Sequence, residues 1–213
     1  MKEDIQKTIP LPTIRRMPNY LRVTADFLEE GKEWISTTDF SEILGLKPIQ
    51  VRKDLAFTGL AGKPRLGFEV SLLIKAINDV LGWNNRTDAI LVGAGALGSA
   101  ILGFKGFAEH GLNIVAAFDA NPALVGSTIH GKTVFSLDKL DNLVERMGIT
   151  MGVITVPEAV GQETADRMIK AGIRGIWNFS PVTLRVPDDI IVQREDLSSG
   201  LAVLSVKLSE NRI

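Results

Sequence analysis

Cysteine is absent from this chain of 213 residues, histidine occurs twice and tyrosine once. Without cysteine there is no disulfide scaffold, no cysteine-ligated zinc, no iron–sulfur cluster and no thiol nucleophile. Two histidines, His110 and His130, well separated in sequence, argue against an imidazole-rich metal site. No apolar run reaches the length of about 18 residues that marks a membrane helix. The opening MKEDIQKTIP lacks the apolar stretch of a signal peptide. These absences lead us to expect a soluble, cytoplasmic protein with no membrane attachment. Excess charge of one sign is also missing, since the net charge is −1. Taken alone, that value argues against nucleic acid as a partner.

The hydrophobic pattern divides the chain into three zones. Residues 1–83 carry helical periodicity, with no convincing strand before about residue 65. Pro10, Pro12 and Pro18 are expected to punctuate an N-terminal arm. A helix then follows through Tyr20, Leu21, Thr24, Phe27 and Leu28 and stops at Gly31. Asp39 and Glu42 stand in capping-box spacing for a short helix that ends at Gly45. Pro48 sits where the first turn of the next helix is expected. Residues 84–195 alternate short β-branched runs (DAILVG, NIVAAFD, MGVITVP, GIWNF) with helical stretches such as ALGSAILGFKGFAEHG. That alternation predicts a parallel sheet of βαβ units. In the third zone, 196–213, a helix carries Leu197, Leu201, Leu204 and Leu208 on one stripe, with Ala202, Val203 and Val206 around it. A helix apolar on most of its circumference needs cover from more than one side.

Gly93-Ala94-Gly95-Ala96-Leu97-Gly98 follows a predicted strand and opens a predicted helix. Asp119 ends the next strand, 26 residues beyond Gly93. Such a loop turns at its first glycine, admits a pyrophosphate at its second and packs helix on strand at its third. The acidic residue accepts from a ribose 2′-hydroxyl and repels a 2′-phosphate, so the expected ligand is NAD+ or NADH. Thr155-Val156-Pro157 and Asn178-Phe179-Ser180-Pro181, after the next two strands, form loops suited to flank a nicotinamide. Hydride transfer to a carbonyl needs a proton donor beside that ring. Tyr20 lies in the other zone, His110 follows a helix away from the strand ends, and Glu158 is the only charged candidate. The site is expected to bind without turnover.

The helix–turn–helix proportions of residues 39–57 point to a second binding activity. Taking 100° per residue from Pro48, Val51 and Leu55 face inward. Ile49, Gln50, Lys53 and Phe57 face outward, with Arg52 and Asp54 on the flanks. An outward amide, cation and methyl group suit a major groove. Lys47 at the helix entrance opposes the helix dipole unless a phosphate lies nearby. Residues 59–68 read as a hairpin with Lys63 and Arg65 at its tip, a plausible wing. From residue 44 to 68 there are five basic groups and one acidic, a local net charge of +4. A three-helix packing module with solvated lysines is the alternative for this zone, and a small NAD-dependent oxidoreductase is the alternative for the whole chain.

Ile9-Pro10, Thr13, Arg16, Pro18, Tyr20-Leu21-Arg22 and Gln50-Val51-Arg52-Lys53-Asp54-Leu55, followed by Gly59, Gly62, Gly67, the glycine loop, Phe118-Asp119 and Asp196, together resemble the Rex family of bacterial redox-sensing repressors. The resemblance spans nearly the whole chain. It implies an N-terminal winged-helix domain (1–83) and a Rossmann domain (84–195). It further implies a C-terminal helix (196–213) swapped into the partner of a homodimer. The dimer is expected to bind palindromic double-stranded operator DNA and to leave it when NADH closes the dimer. Arg22 and Asp196 match the family's inter-subunit base and acid. Three positions depart from the family pattern. Phe104 stands where a tyrosine is common, Leu197 replaces an aromatic, and Pro64 separates the two basic wing residues.

Overall fold

A computed structural model describes residues 8–210, apart from the side chain of Leu197. The chain forms two compact units that divide between Asn85 and Arg86.

The N-terminal unit is a winged helix–turn–helix. Its first helix, α1 (Leu11–Glu29), begins well before the predicted point and runs through two of the three prolines. Pro12 lies in the first turn, where its missing N–H is not needed. Pro18 is on the exposed face and withholds a bond from the carbonyl of Ile14, itself 40% exposed. The helix survives this because Thr13, Met17, Tyr20, Val23, Thr24 and Phe27 form a buried stripe along it. Helix α2 (Thr37–Leu44) is capped by Ser36, which exchanges bonds with Asp39. The capping box therefore pairs Ser36 with Asp39, one step earlier than Asp39 with Glu42. Gly45 closes α2 at φ +65°, and α3 (Pro48–Leu55) follows.

The predicted outward face of α3 needs two corrections. The helix stops at Leu55 and tightens into a 3₁₀ turn over Ala56–Thr58, so Phe57 leaves the helical projection and packs half-buried against the core. Asp54 is on no flank; it is buried at 1% exposure. Strand β1 (Trp34–Ile35), unforeseen because it has two residues, pairs antiparallel with β2 (Phe68–Glu69). Between the 3₁₀ turn and β2 the chain turns at Lys63–Gly67, closed by Lys63 N–H to the Gly67 carbonyl at 2.7 Å. A Cβ on Gly67, at φ +97°, would lie 2.2 Å from the Ile35 carbonyl oxygen, so the base of the hairpin requires glycine. Helix α4 (Val70–Leu81) ends at left-handed Gly82.

The C-terminal unit is a seven-stranded sheet. Its strands are β3 (Thr87–Val92), β4 (Leu112–Asp119), β5 (Thr128–Ile129), β6 (Lys132–Ser136), β7 (Met151–Ile154), β8 (Gly175–Asn178) and β9 (Ile191–Arg194). The spatial order is β5-β6-β4-β3-β7-β8-β9, parallel throughout except the β5–β6 hairpin. Without β5 this is the doubly wound dinucleotide-binding order, with its switch point at β3. The four strands legible as apolar runs are the four central ones. Strand β9 is an edge, with Ile191 75% exposed, and gives no such run. The single helix expected after the glycine loop is two, α5 (Ala96–Gly103) and α6 (Gly106–Glu109), broken at Phe104. The extended backbone there lays the Phe104 ring edge-on to Phe107, at 4.7 Å between centroids. Helix α7 (Leu140–Met147) and helix α8 (Glu158–Ala171) pack together. Helix α9 (Leu197–Glu210) carries Leu201, Val203, Leu204, Val206 and Leu208, each more than half exposed.

Candidate nucleotide and DNA interfaces

The carboxyl ends of β3, β4 and β7 place Gly93, Asp119 and Thr155 side by side. Gly93 turns at φ +102°, and a Cβ there would lie 2.8 Å from the Thr155 carbonyl. The Thr155 hydroxyl donates to the Gly93 carbonyl at 2.7 Å and ties β7 to the loop. A Cβ on Gly98 would come within 1.9 Å of the Gly93 oxygen, so α5 can approach the strand only through glycine. Gly95 differs: a Cβ there would meet nothing within 4 Å. Gly95 is also the N-cap of α5 and supplies no side-chain cap for the first N–H groups of the helix. Among the described residues, no neighbour requires glycine at this position.

Asp119 accepts from Ala94 N–H at 2.7 Å and from Asn121 N–H at 2.8 Å, one on each oxygen. Each oxygen keeps acceptor capacity for a further donor. Ala94 is buried and Leu97 is half-buried against the core, so these two loop residues act on any ligand through backbone alone. Ala96 is exposed. A cavity of about 400 Å³ opens beside the loop, lined by Gly93, Gly95, Asp119, Thr155, Val156 and Pro157. Leu137 and Leu140 form one wall, and Val160, Glu163, Thr164 and Arg167 another. The last four were not anticipated from the sequence, although their 0, 3, 4, 7 spacing marks one face of α8. Arg167 approaches Asp141 at only 3.5 Å, and its Nε is buried without a hydrogen-bond partner among the described residues.

Asn178, Phe179 and Ser180 do not line this cavity. Asn178 is buried, donates to the Val182 carbonyl at 3.0 Å and accepts from Ser180 N–H at 2.9 Å, so its amide holds the loop in shape. The Ser180 hydroxyl is buried and has no protein partner among the described residues. Phe179 packs at a tilt on Trp177 (4.8 Å), Trp177 edge-on to Phe107 (5.1 Å) and Phe107 edge-on to Phe104. Phe104 therefore ends a four-ring row and is 58% exposed. His130, at φ +47° in the β5–β6 turn, is exposed, with its ring against Gly103. Asp196 caps the first turn of α9 through Ser198, whose hydroxyl and N–H hold its carboxyl below the ordinary carboxylate range. Arg22 is exposed and forms no ion pair among the described residues. Among the same residues, no group of histidine, aspartate and glutamate is arranged to hold a metal.

On the N-terminal unit, Lys47, Arg52, Lys53, Lys63 and Arg65 are all exposed. The Lys63 ammonium lies 4.4 Å from the centre of the Trp34 ring, and Arg65 takes a left-handed conformation (φ +67°) at the hairpin tip. Gln50 is half-buried and donates through Nε2 to Asp54 at 2.9 Å. Asp54 also accepts from Thr13 Oγ1 (2.9 Å), Tyr20 OH (2.8 Å) and Arg16, which binds with Nε and Nη2 at 2.7 and 2.9 Å. Burial alone would push the carboxyl up, but the bonds from Arg16, Tyr20, Thr13 and Gln50 outweigh it and hold it below its usual range. Burial, reinforced by the carboxylate, pushes the Tyr20 phenol above its ordinary value.

Comparison with known proteins agrees with both halves. Residues 8–56 match the family described as putative DNA-binding protein N-terminus, and residues 84–182 match CoA binding domain. Fold and site thus define a class: a winged-helix DNA-binding unit joined to a Rossmann nucleotide-binding unit. The redox-sensing transcriptional repressor Rex of Treponema denticola is 46% identical over 207 residues, covering 97% of this chain and 99% of the relative. Its counterpart in Bacteroides fragilis is 40% identical over 205 residues, 96% of this chain and 93% of the relative. The crystal structure of RSP, a Rex-family repressor, with beta-NAD+ and operator DNA superposes with a TM-score of 0.89 at 35% identity. That match covers 96% of this chain and 94% of the other. RSP with beta-NADH gives 0.87 at 35% identity, covering 96% and 97%. The chain belongs to the Rex family of redox-sensing transcriptional repressors.

Proposed function

We propose that this protein is a cytoplasmic homodimer that binds palindromic operator DNA through α3 and the Lys63–Gly67 hairpin, and that NADH in the Rossmann unit releases it. The observation that carries the nucleotide half is Gly95, whose missing side chain no neighbour among the described residues requires and which leaves room at the amino end of α5 for a pyrophosphate. Asp119 stands where a ribose hydroxyl would donate to it. Its charge disfavours ligands with a phosphate on that ribose, as in NADP or coenzyme A, and so favours NAD+ and NADH. Val156 and Pro157, expected from the sequence to flank a nicotinamide, line the same cavity as Asp119 and would instead close it over the adenosine half. Phe179, Ser180 and the aromatic row ending at Phe104 lie toward the other half. The nucleotide is a sensed ligand in this reading and undergoes no turnover.

The DNA half rests on five exposed cations without an ion pair among the described residues. In α3, Gln50, Arg52 and Lys53 would enter the major groove, with Lys47 on a phosphate and Lys63 and Arg65 along the wing. Helix α9 is the element we assign to the partner subunit, with Asp196 and Leu197 at its start and Arg22 as the base they would meet. An uncharged dihydronicotinamide enters an apolar pocket more readily than the cationic ring, which gives the ligands different affinities for the closed dimer.

Lys53→Ala tests the groove assignment. Each subunit loses one cation from the DNA interface, so binding weakens and the slope of log affinity against log salt flattens by about two for the dimer. An unchanged affinity and slope in a fluorescence-anisotropy salt series would remove α3 from the interface.

A further inference from the structure

Gln50 differs from its neighbours on α3 because its amide cannot turn over. The Asp54 carboxylate that it faces accepts hydrogen bonds and donates none. Only the NH₂ end of the amide can satisfy it, through Nε2 to Oδ1 at 2.9 Å. Asp54 cannot follow a rotating amide either, since Thr13, Arg16 and Tyr20 hold both of its oxygens. Turning Gln50 over would point its own oxygen at a buried carboxylate. The edge left for a partner is therefore fixed as one acceptor, Oε1, and the second N–H of Nε2.

We propose that Asp54 is a positioning residue that locks the Gln50 amide in the orientation that reads adenine. In the major groove adenine offers a donor (N6) beside an acceptor (N7), guanine two acceptors, cytosine one donor, and thymine one acceptor with a methyl group. An acceptor-plus-donor edge makes two bonds to adenine and at most one to any other base. Guanine would also bring its O6 against Oε1, two acceptors without a proton between them. A free glutamine could avoid this by presenting both N–H groups to guanine. The contact to Asp54 removes that option, so discrimination comes as much from the excluded pairing as from the favoured one. This inference rests on the DNA-binding reading above.

The experiment is a selection, with the full chain, from duplexes bearing an inverted repeat of randomised half-sites, followed by titration of single base-pair changes. The wild type is expected to select adenine at one position in each half-site, with guanine there costing about tenfold or more in affinity. In Asp54→Asn the new amide can donate to Oε1 of a turned Gln50, so the adenine preference over guanine falls below about threefold. Thr13→Val removes a different donor to Asp54; it lowers the melting temperature but leaves the preference intact. If Asp54→Asn does not fold, Gln50→Glu decides, because its acceptor-only edge moves the preference at that position from adenine to cytosine. Unchanged adenine preference in a folded Asp54→Asn, or in Gln50→Glu, would overturn the proposal. A wild type that selects no sequence at all would instead remove the DNA-binding reading and this inference with it.

Discussion

Replacing Leu201 and Leu204 of α9 by glutamate is expected to convert the proposed dimer to a monomer and to lower operator affinity by about 10²- to 10⁴-fold. The two leucines are 65% and 54% exposed and share one stripe with Leu208, while Val203 and Val206 cover other directions of the same helix. At 100° per residue these five side chains point around most of the circumference, which a single supporting surface could not bury. Burying a leucine contributes about 1.5–3 kcal/mol. A swapped pair of helices would bury four at these two positions alone. Without the dimer each half-site must be held independently, and the gain from linked binding disappears. Light scattering at micromolar concentration and an operator mobility shift read the two effects together. A double variant that stays dimeric with operator affinity intact would show that α9 is covered by something other than the partner.

Asp54→Ala carries the second large effect, a loss of about 3 kcal/mol from the N-terminal unit. It strands the buried Tyr20 and Thr13 hydroxyls and removes the counter-ion of Arg16. Because Arg16 is 27% exposed it can turn toward water, so the lower end of the range for broken buried pairs applies. The melting transition of this unit should fall by about 12–24 °C. The same network sets the pH response. A carboxyl held below its unfolded value stabilises the fold above that value, near pH 3.9, and the contribution fades as pH falls from there through the lower native value. The Tyr20 phenol, held above its unfolded value, gives stability that is full below about pH 10 and is lost as pH rises beyond it. Urea titrations from pH 3 to 11 should show both edges in the wild type, and Tyr20→Phe should lose the alkaline one. Retention of the alkaline edge in Tyr20→Phe would place its origin elsewhere.

Legibility in the sequence followed how local each feature is. The glycine loop could be read because a strand, a tight turn and a helix start within six residues leave their own marks. The central strands were visible because both of their faces are buried. The Asp54 network was not visible, because it joins α1 to α3 across as many as 41 residues and turns a charged position on a short helix inward. Pro18 misdirected the start of α1, since proline marks a boundary only where packing does not hold the helix together. Arg167, Glu163 and Thr164 were missed for a plainer reason: their spacing on α8 shows one face, but nothing local says that this face borders a cavity. The whole-chain charge of −1 was the wrong length scale for a DNA partner, since the residues that would meet phosphate lie in one window with a net charge of +4.

Phe104 bears on the redox response proposed above. It has no hydroxyl to exchange partners as the nicotinamide changes charge, and it ends an apolar row leading through Phe107 and Trp177 to Phe179. On the proposed reading, discrimination between the two ligands then rests on the charge of the ring itself entering apolar surroundings. A differential affinity of about 1–3 kcal/mol, or roughly 5- to 150-fold, suffices to couple it to DNA release. The direct measurement is a titration of a preformed operator complex with NADH and, separately, with NAD+, following the bound DNA. The account predicts that NADH dissolves the complex at concentrations where NAD+ leaves it intact. Equal release by both ligands, or by neither, would contradict it.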